Sequence, residues 1–247
     1  MRVRMIVVPV LVAALAAAAA GMAGMGRAAA RSQCGDGLMF AQARLIIEYN
    51  STDEDIGAQV FLDGEAWRLL RVYAPNGRRI LEIKGTRSLR TQGLTELFFE
   101  SSEPPLTDVP LEVFLGRFPA GEYEFEGVTV SGEEISATAN FTHAIPEPAV
   151  VISPLDGSVQ DPENLVASWT AVPNPPGSTI VAYQVIVVNF DSPLPKKTFS
   201  VHVPANITSV TVPAEFMEFG TRYEFEVLAI EAGGNQTITT TEFDTIE

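Results

Sequence analysis

Cysteine, histidine and positive charge are all scarce in this chain of 247 residues, which carries one cysteine, two histidines and 16 basic side chains against 31 acidic ones. A lone thiol, Cys34, forms no intramolecular disulfide and has no second thiol with which to share a metal. Stability must therefore come from packing. His143 and His202 are the only side chains that ordinarily titrate close to neutrality. Neither lies in a His-Glu-x-x-His spacing, and the chain has no Gly-x-Ser-x-Gly elbow or phosphate loop. The usual arrangements for catalysis at neutral pH are missing, so no catalytic or cofactor-binding residue is expected. Thirteen of the 16 basic but all 31 acidic residues lie beyond residue 30, a net charge of −18. Charge of that sign opposes nucleic acid and anionic membrane surfaces, both of which require a basic patch.

Long apolar runs occur only at the N-terminus. Arg2 and Arg4 precede an uncharged apolar stretch over 5–20, and Ala28-Ala29-Ala30 offers a small-residue cleavage site. This is the pattern of a secretory signal peptide over residues 1–30. A retained membrane anchor is the alternative, because 5–25 carries no charge and approaches the roughly 20 residues of a bilayer span. Cys34 invites a lipoprotein reading, which Arg31-Ser32-Gln33 opposes. The expectation is a disordered tether over 31–42 and a protein that is secreted or held in the cell envelope, with no membrane insertion after cleavage.

Beyond residue 43 apolar residues alternate with polar ones in short runs broken by Gly, Pro, Asn and Asp, the signature of an all-β chain. The length suits two domains of about 100 residues. In the first, Asp63-Gly64 and Asn76-Gly77 predict type I′ hairpins separating strands at 57–62, 67–73 and 79–84. Strands at 43–49, 94–99, 122–130 and 134–143 complete a set of seven, the number in an immunoglobulin-like sandwich. Leu111, Phe114, Leu115 and Phe118 predict a short helix, with Asp108 as N-cap and Pro110 in the first turn. In the second, alternation runs through Leu165 to Trp169, Val181 to Val187, Phe199 to Val203, Val210 to Val212, Tyr223 to Ala229 and Ile238 to Phe243. Glu224 and Glu226 make the opposite face of the Tyr223 strand largely charged.

The Trp169 strand, Ala182-Tyr183-Gln184-Val185 and the segment 212–227 resemble the fibronectin type III pattern. That resemblance implies a core position for Trp169 in the second strand, and for Tyr223 a hydroxyl bond to upstream backbone at the corner before the sixth strand. Tyr123-Glu124-Phe125-Glu126 recurs as Tyr223-Glu224-Phe225-Glu226 one hundred residues later. The expected fold is thus all-β, two tandem immunoglobulin-like (fibronectin type III-like) β-sandwiches over 43–145 and 146–247, with an unrelated β-domain over 43–145 as the alternative. Their structural core includes Trp169, Tyr183, Tyr223, Phe225, Tyr123 and Phe125. The junction Ile145-Pro146-Glu147-Pro148 is short and stiff, which predicts a fixed relative orientation.

Two places invite a ligand. Asn50, Asp53 and Asp55 form a calcium candidate, with a solvated turn as the alternative. Loops over 172–178, 204–208 and 231–236 would cluster at one end of the second sandwich, with Asn174, Asn206, Glu231 and Asn235 as candidate binding residues and plain strand connections as the alternative. Asn-x-Ser/Thr sequons stand at Asn50, Asn140, Asn206 and Asn235. The sequence thus points to a non-enzymatic extracellular binding or adhesion module for an unidentified protein or cell-surface polymer. A degenerate glycan-active domain and a purely structural envelope protein are the alternatives.

Overall fold

Period-two alternation becomes strand almost throughout residues 37–247, the part of the chain that the computed structural model describes. The signal, its cleavage site and Cys34 lie outside these residues. In chain order the first half holds β1 (Leu38–Met39), β2 (Gln42–Asn50), β3 (Asp55–Tyr73), β4 (Arg79–Lys84), α1 (Arg87–Gln92), β5 (Leu94–Glu100), α2 (Leu111–Arg117), β6 (Gly121–Thr129) and β7 (Glu134–Phe141). The second holds β8 (Val151–Ser153), β9 (Ser158–Gln160), β10 (Val166–Trp169), β11 (Ile180–Asn189), β12 (Thr198–Pro204), β13 (Ser209–Thr211), β14 (Arg222–Glu231) and β15 (Gln236–Thr245).

Each half is a sandwich built to one plan. In the second, β8–β10–β13 face β12–β11–β14–β15. In the first, β2, the N-terminal part of β3 and β5 form one layer, while β4, the C-terminal part of β3, β6 and β7 form the other. Strand for strand the two sets of pairings correspond. The Tyr-Glu-Phe-Glu repeat accordingly falls on equivalent strands, β6 and β14. One core is built around Trp67, Tyr123, Phe125 and Phe141, the other around Trp169, Tyr183, Tyr223, Phe225 and Phe243.

The halves differ at one crossover. In the second sandwich a loop carries the chain from β10 to β11, whereas β3 makes the same passage as one bent strand of 19 residues. Asp63-Gly64 is therefore not a hairpin. Pairing passes from β5 to β6 across a register shift between Asp63 and Trp67, the bulged corner by which a strand changes sheets. A Cβ on Gly64 would stand 2.7 Å from Cδ1 of Phe40, so the glycine admits that ring. Phe40 is buried, and Leu38 and Met39 pair in parallel with Ile135 and Ser136. The expected tether is thus already strand at residue 38.

The Asn76-Gly77 turn does join two strands, but of its residues only Gly77 has positive φ, so it is not the type I′ turn expected. Gly77 N–H bonds Ala74 O at 2.8 Å behind Pro75. The short helix is α2, with Pro110 and not Asp108 at the N-cap position and no side-chain capping bond; Asp108 lies in the preceding turn, its N–H on Pro105 O at 2.8 Å. Helix α1 gave no apolar signal because it buries no residue. On β14 the expected charged face is covered: Glu224 and Leu228 are buried and Glu226 half-buried. A central strand between β11 and β15 is screened by neighbours on both sides.

The sandwiches share a sheet. β2 pairs in parallel with β15, Gln236 against Glu48 and Ile238 against Asn50, so the layer holding β2 continues into the layer holding β15. The rest of that edge is filled as well. The Ser51 N–H donates to Ile238 O at 2.9 Å, Thr240 N–H to Thr52 Oγ1 at 2.9 Å and Glu242 N–H to Asp156 Oδ1 at 3.0 Å. β9 then pairs with Phe243 to Thr245. An edge strand is an aggregation hazard, and here the molecule's own chain closes it.

Candidate functional site

Three of the four loop residues expected to serve recognition hold the chain together. Asn235 is 2% exposed. Its Oδ1 accepts the Ile47 N–H at 2.8 Å, while its Nδ2 donates to Thr142 Oγ1 at 2.9 Å and to Thr142 and Ala144 carbonyls. One side chain thus ties the 231–236 loop to β2 and to the segment before β8. Glu231, 1% exposed, accepts the N–H groups of Gly233 and Asn235 at 2.7 and 2.9 Å and the Ser178 hydroxyl. Asn174 Oδ1 accepts the Ile180 N–H at 2.9 Å and sets the start of β11. Only Asn206 stands exposed without a side-chain hydrogen bond of its own. The exposed parts of this end are Pro173, Asn174, Pro176 and Gly177, with Asn206, Ile207, Ala232 and Gly233.

The acidic turn after β2 is likewise a docking element. Asn50 Oδ1 accepts the N–H groups of Thr52 and Asp53 at 3.0 and 3.1 Å, and Asn50 Nδ2 donates to Asp53 at 3.2 Å. These bonds shape the turn that presents Ser51 and Thr52 to β15. Asp55 opens β3 opposite Asn50, with burial first and the Asp53 charge second holding its carboxyl above the usual range.

A different carboxylate group does converge. Glu48 on β2, Glu100 on β5 and Glu103 beyond it bring oxygens within 4.8 Å of one another on the sheet face beside the seam. Glu103 lies over Gly57, where any Cβ would stand 2.8 Å from its side chain. Glu48 accepts a hydrogen bond from Gln236, and Glu100 one from Gln59 at 2.7 Å. Burial pushes Glu48 up to about 7, with Glu100 adding to the shift. Burial, then the charges of Glu100, Glu48 and Asp55, raises Glu103 to about 8. Glu226 on β14 is raised by burial and by Glu224. Such a group holds protons at neutral pH, and in losing them it offers oxygen ligands to a hard cation. No local run of acids announces it, because two segments far apart in the chain, one with Glu48 and one with Glu100 and Glu103, supply it.

The histidines stand apart. His143 Nε2 donates to Phe118 O at 2.8 Å and its ring meets Phe141 edge-on at 5.8 Å. His202 is on β12, exposed, opposite Gln184. The aromatic residues singled out are all in the cores: Trp169 packs edge-on against Tyr183 at 5.3 Å, and Tyr183 Oη accepts the Val172 N–H at 2.7 Å. Tyr223 Oη accepts the Glu218 N–H at 2.7 Å, and Tyr123 Oη donates to Pro119 O at 3.1 Å. Both sandwiches therefore have a tyrosine corner. Phe125 and Phe225 are fully buried beside them.

These features define a class: an all-β protein of two immunoglobulin-like, fibronectin type III-like sandwiches sharing one sheet. No family model matches the chain, and no curated protein matches its sequence. Among solved structures it is similar to the FN1–FN3 domains of chicken CNTN1, at 12% identity and a TM-score of 0.36 over 85% of this chain and 68% of that one. It is also similar to the fn3 domain of the human collagen alpha-1(XX) chain, at 24% identity and a TM-score of 0.31 over 42% of this chain and 89% of that one.

Proposed function

We propose that this is an exported, non-enzymatic binding module whose two sandwiches act as one rigid platform for an extracellular protein or cell-surface polymer. The seam along β15 carries this reading. A surface already fixed before binding loses little conformational freedom on association, and the seam fixes both sandwiches at once. Asn235 and Gln236 serve that seam and Glu231 braces its own loop, so contact falls to the exposed positions of 172–178, where prolines 173, 175 and 176 limit motion, and to surfaces of the first sandwich. The test is capture: purified protein immobilised against envelope polymers and secreted proteins retains a saturable partner. No retention across both sets contradicts it.

A second reading, a glycan-active enzyme, has one observation in its favour, the carboxyls of Glu48 and Glu103 that keep protons near neutrality. Turnover of any glycan that is lost in Glu48→Gln or Glu103→Gln would establish it. A calcium role for Asn50, Asp53 and Asp55 is checked by melting in millimolar Ca²⁺ and in chelator, where equal curves remove it.

A further inference from the structure

Positive charge is scarce in the chain but is not spread evenly. Seven of the 12 Lys and Arg side chains in residues 37–247 fall within 68–90, and that stretch contains a single acid, Glu82. Glu82 is already engaged by Arg71 at 2.9 Å and Arg79 at 2.7 Å. Folding gathers three of the remaining cations. Arg68 on β3, Lys84 at the end of β4 and Arg90 on α1 line a cleft of about 160 Å³, with Leu69, Val128 and Gly85 completing its wall. Among the described residues none of the three is in a salt bridge, although the charge of Lys84 is felt at Glu82.

The local fold explains the convergence. Leu69 pairs with Lys84 on one side and Val128 on the other, so the floor is a central strand between two neighbours. The chain then leaves β4 at Gly85, whose N–H bonds Arg68 O at 2.9 Å. A Cβ at Gly85 would meet Leu89 O at 3.0 Å, and one at Gly93 would meet Val130 and Ala66 at under 3 Å. Glycines at both ends therefore let α1 fold back onto β3 and bring Arg90 to the cleft that Lys84 lines. A helix that buries no residue of its own is held in place to form a wall.

We infer that this cleft binds a phosphoryl group. In a chain of net charge −15, three cations around one small hollow offer converging N–H donors, and an anion of two negative charges accepts from all of them. A planar monoanionic carboxylate is satisfied by a single arginine fork, whereas a tetrahedral dianion uses donors from several directions. The room suffices for a group of a few heavy atoms, while Leu69 and Val128 offer apolar contact to whatever carries it. The inference rests on the binding reading and gives it a ligand class. The phosphoryl group comes either from a small soluble phosphate ester or from a lipid headgroup.

The test is titration of the purified protein with inorganic phosphate, followed by amide resonances of Leu69, Gly85 and Val128. Saturable shifts at these three are expected. Lys84→Gln and Arg90→Gln should each weaken binding about tenfold, and the triple variant with Arg68→Gln should abolish it. Arg78→Gln, in the same basic stretch but outside the cleft, should change little. All four positions are exposed or half-exposed, and unchanged melting confirms that the variants fold. Absence of saturation, shifts that survive the triple variant, or equal loss on Arg78→Gln each overturn the cleft. Sedimentation with phosphatidylglycerol but not phosphatidylcholine vesicles, lost in the triple variant, assigns the group to a lipid; saturation by phosphate without sedimentation assigns it to a soluble ester. A protein that captures a polymer or protein yet ignores phosphate keeps the binding reading and loses this one.

Discussion

Trp169 shows how much a single core side chain carries. It is 2% exposed, set edge-on to Tyr183, and its Nε1 has no hydrogen-bond partner, so its value is packing alone. Trp169→Ala should cost about 3–5 kcal/mol, against the roughly 5–15 kcal/mol that holds a domain folded, and a large fall in the melting temperature checks it. Carboxyls act in the opposite sense. Glu48 and Glu103 rise from an ordinary 4.5 to about 7 and about 8 on folding. Below that ordinary value both states are protonated and these groups contribute nothing. As pH climbs towards 8 the unfolded chain releases its protons first, so stability falls. Glu103→Gln should therefore raise the melting temperature at pH 8.5 and leave it nearly unchanged at pH 4.5. An equal shift at both would show that the charge is not the cause. The core aromatics were legible from alternation and from the repeated Tyr-Glu-Phe-Glu, since burial follows period. The carboxyl cluster was not, because nothing in one strand reveals which residues a neighbouring strand places opposite.

At the scale of elements, β3 teaches most. Asp-Gly between two apolar runs is a strong hairpin signal, and the strands on either side of Asp63-Gly64 do exist. What the pattern omits is the third dimension: the chain turns from one layer to the other without reversing, and Gly64 is there to admit Phe40. Gly64→Val should force that ring from its place at about 1–3 kcal/mol, read as a lower melting temperature together with faster amide exchange at Phe40. Gly77, by contrast, sits at a real turn with φ +74 and open space around it. The two dipeptides look alike in sequence and differ in what surrounds them. The basic stretch over 68–90 could be read directly from the charges, but a net charge summed over the chain concealed it.

For the whole molecule the decisive element is β15, which belongs to one sandwich and is paired by the other. Alternation predicted its strand and could say nothing of its partner, because a parallel pairing across 188 residues leaves no local mark. Asn235 was visible only as a loop residue; its role depends on Thr142, Ala144 and Ile47 arriving together. Asn235→Ala should leave the Ile47 N–H without its acceptor, at roughly 1–3 kcal/mol, and loosen the seam before either core. The sequon at Asn235, buried in that seam, should carry no glycan on the folded protein, as the mass at that site will show. The fused platform itself is tested most directly by amide hydrogen exchange at Ile47, Ser51 and Thr240, whose N–H groups bond across the seam. Slow exchange there, approaching that of Val185 in the β11 core, is the result predicted. Free-chain exchange at these three amides while Val185 stays protected would mean two hinged sandwiches and would contradict the account.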